Sequence, residues 1–85
     1  MVAYIDIGNI RTFSVNANES EFVWHRDRED REIEVLEGIG WQFQYDDALP
    51  NYIKEGDRFV INKMKYHRLI KGKNDLMIRI TKNGN

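Results

Sequence analysis

The feature that most constrains this chain is its period: apolar residues recur at every second position in short runs, and no segment sustains a helical repeat. Trp41-Gln42-Phe43-Gln44-Tyr45 would set three aromatics on one face of an extended strand and two glutamines on the other. Ile33 and Val35 alternate with Glu32 and Glu34 in the same way, and Leu76, Ile78 and Ile80 share a phase. Strands are therefore predicted over residues 10–15, 21–25, 32–37, 41–45, 59–61, 66–70 and 76–81. Turn signals punctuate them: the polar cluster 16–20, Gly38-Ile39-Gly40, the loop 46–50 with the only proline, Glu55-Gly56-Asp57, and residues 71–75. The glycine turn predicts a hairpin between 32–37 and 41–45. Glycines, Gly8 and Gly72 among them, serve turns, and a frayed tail is expected from Lys82 onward. Seven or eight short strands at spacings of about ten residues mean an all-β sandwich or barrel.

Length limits what such a barrel can be. The 85 residues make one domain, 1–85, whose core is thin because a chain this short buries only about 60–65% of its unfolded surface. Its stability calls for a closed barrel, a bound metal or a partner subunit, and a homodimer associating through strand edges is the expectation. There is no cysteine, so disulfides and thiolate metal sites are excluded. No apolar run approaches the roughly 20 residues of a membrane span, and residues 1–7 carry an aspartate and no basic cluster. A cytoplasmic protein without a membrane partner is expected. The net charge of −1 argues against nucleic acid as a partner. Its distribution is uneven: residues 1–53 hold four basic and eleven acidic side chains, residues 54–85 nine basic and three acidic. In a β-fold whose halves interleave, such charges are expected to meet across strands. A basic series from Lys63 to Lys73 surrounds His67 and would suit an anionic ligand.

Two runs carry a resemblance. Trp24-His25-Arg26-Asp27, followed by Glu32-Ile33-Glu34-Val35-Leu36-Glu37-Gly38, resembles the first motif of the cupin superfamily, in which His-x-His and a Glu lead to a Val-Leu-x-Gly turn. Gly56-Asp57, Val60-Ile61 and then His67 resemble the second motif, in which a Gly-Asp turn precedes the last metal-binding histidine. The resemblance implies a double-stranded β-helix, a jelly-roll-like barrel with a pocket near its wider mouth. In the family that pocket usually holds iron, manganese, nickel, copper or zinc on three His and one Glu. Carried over by position, His25 matches the first histidine and His67 the last. Asp27 stands at the second histidine and Arg31 at the glutamate, while Asn62 and Met64 replace a usual proline and glycine.

Two pockets follow. In one, His25, Asp27 and His67 form a facial triad for Fe, Mn, Ni or Zn, and Arg31 orients an anionic substrate or braces Asp27. In the other there is no cofactor: Arg31 and Asp27 pair inside the barrel mouth, and the two histidines are hydrogen-bonding groups around a small-molecule ligand. Gln42 and Gln44 are either solvent-facing or ligand-binding, and Trp41, Phe43 and Tyr45 are core or subunit interface. Two unrelated surface histidines are the third possibility. The function classes are a metal- or ligand-binding cupin-like module, a metal-dependent oxygenase or isomerase, and a metal-free structural or regulatory barrel.

Overall fold

The computed structural model describes residues 4–7, 9–16 and 20–83. Gly8, residues 17–19 of the predicted turn 16–20, and the tail residues 84–85 lie outside that set. Among the described residues the chain forms eight antiparallel strands and a single 3-10 turn, Ser20–Phe22. The strands are β1 Tyr4–Ile7, β2 Ile10–Phe13, β3 Asp30–Glu37, β4 Gln42–Tyr45, β5 Asn51–Tyr52, β6 Arg58–Ile61, β7 His67–Ile70 and β8 Leu76–Asn83. They make a five-stranded sheet, β1-β2-β8-β3-β6, facing a three-stranded sheet, β5-β4-β7. No helix among these residues is long and apolar enough to cross a membrane.

Alternation decides which face each strand buries. Ile33 and Val35 of β3, Phe13 of β2, Ile61 of β6 and Leu76, Ile78 and Ile80 of β8 point from the large sheet toward Trp41, Phe43 and Ile53. The opposite face of the large sheet carries the charges, as the uneven charge distribution predicts. Glu34 of β3 takes Arg79 at 2.6 Å and Arg58 at 3.4 Å from its two neighbouring strands. The chain also stays in β8 through Asn83, so the fraying expected from Lys82 does not begin there.

Two expectations change. The predicted hairpin does not form, because β3 pairs with β6 and β8 while β4 pairs with β5 and β7. The turn 38–41 instead crosses from one sheet to the other and docks on residues 72–74. Ile39 N donates to Asn74 Oδ1 at 2.8 Å, Lys73 N to Ile39 O at 2.7 Å, and Trp41 Nε1 to Asn74 O at 2.6 Å. Gly72 makes that approach possible, since a Cβ there would lie 2.2 Å from Ile39 O.

The second change is that the barrel is not closed. The two sheets form a jelly-roll-like sandwich, and where β4 faces the edge of β6 a side chain stands in for a strand. The Tyr45 hydroxyl donates to Val60 O at 3.0 Å and accepts from Asn62 N at 3.1 Å. Strands of two to four residues at this seam are too short to hydrogen-bond continuously around it.

Candidate metal centre

The predicted strand 21–25 is mostly absent, and its loss builds the site. Phe22 packs its ring against Phe13, with centroids 6.1 Å apart, and against Trp41, at 5.7 Å. That anchor holds residues 20–22 in a 3-10 turn, which brings Glu21 beside His25. Only His25 reaches the sheet edge, in a single antiparallel bridge with His67 of β7. His25 N donates to His67 O at 3.1 Å and His67 N to His25 O at 2.9 Å. Directly opposed residues of an antiparallel bridge put their side chains on one face, and here the two imidazole rings meet edge-on with centroids 4.3 Å apart.

The same local device orients both rings. His25 Nδ1 lies 2.8 Å from Val23 O, and His67 Nδ1 lies 2.8 Å from Lys65 O. A carbonyl can only accept, so each Nδ1 carries the hydrogen and, in the neutral ring, each Nε2 keeps a lone pair. This is the arrangement by which metal-binding histidines are fixed from behind. The donor atoms of Glu21, His25 and His67 lie within 4.8 Å of one another. Glu21 was not among the sequence-predicted ligands. Its signals were the spacing of four residues before His25 and the polar cluster preceding it, but the tertiary anchor at Phe22 is what turns it inward.

Asp27 is buried, and its Oδ2 stands 3.3 Å from His67 Nε2 without the alignment of a hydrogen bond. Oδ2 is thus a buried polar atom with no hydrogen-bond partner, which calls for an ion, a water or a role. Its 3.3 Å from His67 Nε2 matches the roughly 3.3–3.5 Å between neighbouring donors on a tetrahedron around a zinc ion. The donors that converge, two imidazoles and the Glu21 carboxylate, suit a divalent ion, and Asp27 stands beside them at His67. The other oxygen, Asp27 Oδ1, lies 3.4 Å from Arg31. Burial alone would raise the Asp27 pKa, but contact with His67 and the charge of Arg31 outweigh it and hold the carboxyl below the usual range. Burial would likewise lower His25, yet Glu21, the Val23 carbonyl and Asp27 together raise it above the ordinary imidazole value.

Arg31 touches three carboxylates: Asp27, Glu29 at 3.1 Å and Glu21 at 3.8 Å. Arg11 of β2 adds a second guanidinium 3.4 Å from Glu21. Below this polar cap lies a cavity of about 30 Å³, walled by Phe13, Phe43, Phe59 and Ile78 and bordered by Glu21, Asp27, Arg31 and His67. That is room for an ion or a few waters. Wider depressions of about 320 and 340 Å³ lie elsewhere, and neither reaches the histidines. The structure thus brings His25, Asp27, Arg31 and His67 together. It places Gln42 and Gln44 on the opposite face of β4 from Phe43, outside the cavity, where Gln44 accepts from Arg68 Nε at 3.0 Å and donates to Ala48 O at 3.0 Å. Trp24 is 42% exposed, with Arg68 stacked over it at 4.6 Å.

Fold and site together define a small antiparallel jelly roll with paired histidines near one end of its core. The solved structures it matches place it further. It is similar to a cupin-2 domain containing protein from Shewanella frigidimarina, at 24% identity and a TM-score of 0.61 over 93% of this chain and 76% of that one. It is similar also to KdgF from Halomonas sp., at 15% identity and a TM-score of 0.62 over 96% and 88%. A Neisseria meningitidis protein matches at 19% identity and a TM-score of 0.55 over 92% and 80%. No family model and no curated protein matches the chain. Identities this low carry the fold alone: the chain has the cupin fold.

Proposed function

We propose that this cupin-like protein binds a divalent metal ion on Glu21, His25 and His67, with Asp27 beside His67 as the supporting carboxylate. The observation that carries the reading is the pair of imidazoles, each held at Nδ1 by a backbone carbonyl so that the Nε2 lone pairs and the Glu21 carboxylate gather within 4.8 Å. Such a set suits Fe(II), Mn(II), Ni(II) or Zn(II). An anionic small molecule would meet the site from the mouth, where Arg31 could pair with it, and an oxygenase or isomerase would need its substrate there. Elemental analysis of untagged protein is expected to find near-stoichiometric metal, lost in His25→Ala and His67→Ala variants. Less than a tenth of an equivalent after reconstitution would sink the reading.

A second reading is supported by the 3.4 Å contact between Arg31 and Asp27. In it the cluster is a metal-free ion-pair network inside a structural or regulatory jelly roll. Under that reading neither histidine variant changes metal content, and both lose stability.

A further inference from the structure

Arg31 occupies the position at which the family resemblance expects a carboxylate, and it faces the two carboxylates assigned above to the metal. We infer that Arg31 is the resident counter-cation of this site: its guanidinium holds Glu21 and Asp27 in the metal-free protein and must release them for a divalent ion to bind. This rests on the metal reading and adds the control built into it.

The geometry is that of a clasp. One terminal nitrogen of Arg31 lies 3.4 Å from Asp27 Oδ1, and the other lies 3.8 Å from Glu21 Oε1. Its Nε and a terminal nitrogen both lie 3.1 Å from Glu29 Oε1. The side chain is only 14% exposed, so water screens these contacts weakly. Each carboxylate offers one oxygen to the guanidinium while its second oxygen faces a histidine Nε2: Oε2 of Glu21 faces His25, and Oδ2 of Asp27 faces His67. Metal and guanidinium thus draw on the same two negative charges from opposite sides. Arginine cannot escape the conflict by losing a proton. Glu29 supplies a second anchor on which the guanidinium can stay when the other two contacts loosen. A neighbouring charge within about 4–6 Å shifts proton affinity by 1–3 decades, and a divalent ion opposed by the same guanidinium loses at least one.

The test is a titration of chelator-stripped wild type, Arg31→Gln and Arg31→Lys with Zn²⁺ and Mn²⁺, each variant checked by circular dichroism. Arg31→Gln is expected to bind at least tenfold more tightly than wild type. Arg31→Lys, which keeps the charge, should stay within about threefold. In wild type the Arg31 Nε–H resonance is expected to move as Zn²⁺ saturates the site, a readout that does not depend on any variant folding. Unchanged or weaker affinity in Arg31→Gln, or an unmoved Nε–H resonance at saturation, would overturn the inference. If Arg31→Gln alone binds metal, the inference stands and the metal reading of the native protein fails; if no form binds, both fail.

Discussion

Replacing Glu21 by glutamine tests which carboxylate the metal uses, because it removes one charge and almost no volume. Glu21 lies 3.4 Å from Arg11 and 3.8 Å from Arg31, and its side chain is 14% exposed. Breaking a fully buried ion pair costs about 3–5 kcal/mol. Here the amide can still accept a hydrogen bond, and Arg31 keeps Glu29 and Asp27, so a loss of about 1–3 kcal/mol is expected. In a domain of this size that lowers Tm by roughly 5–20 °C. Metal affinity should fall further. A three-donor cluster deprived of its one anionic donor is expected to lose at least about 100-fold, near 2.7 kcal/mol. Asp27→Asn removes a donor that lies beside His67 and outside that cluster, and should cost about tenfold, the scale of a supporting group. The assay is competition of chelator-stripped protein with a zinc-binding dye, run beside thermal melts in EDTA. Glu21→Gln binding within threefold of wild type would refute the assignment. The result would be sharper if Asp27→Asn abolished binding, because the 3-10 turn would then be scaffold only.

Two further outcomes are expected. In EDTA, the depressed Asp27 pKa means its stabilisation is present above the unfolded value of about 3.9 and is lost as pH falls through the lower native value. The raised His25 pKa acts in the other direction: its contribution is full below about 6.5 and fades as pH rises through the native value. Chemical denaturation from pH 2 to 9 should show both slopes, the first flattened by Asp27→Asn and the second by His25→Gln; slopes unchanged in those variants would refute the assignment. Separately, Gly72→Ala should cost about 2–3 kcal/mol, because its Cβ would meet Ile39 O at 2.2 Å and Trp41 N at 2.6 Å, and backbone cannot swing aside. A melting temperature within 2 °C of wild type would show that the 38–41 turn is not clamped there.

What could be read without coordinates was local. A period of two belongs to each strand by itself, so Ile33 and Val35, Phe43, and Leu76 to Ile80 could be assigned to the core before any partner was known. Placing His25 and His67 in one pocket rests on motif spacing; the structure sets the two residues opposite each other in an antiparallel bridge. Strand partnership was not legible. The Gly38–Gly40 turn suits a hairpin and a crossover equally, and the contacts of Ile39 and Trp41 with residues 73 and 74, more than thirty positions away, decided for the crossover. Nor was the role of Glu21 legible, since the alternation of Phe22 and Trp24 favours a strand that would carry Glu21 away from the pocket. The sequence by itself determined most of the strands and their buried faces, because those depend on alternation, and it singled out the two imidazoles through motif spacing. Only the tertiary structure decided which carboxylate stands beside the histidines and which cation already opposes it, because an aromatic anchor between the two sheets sets the turn that carries Glu21.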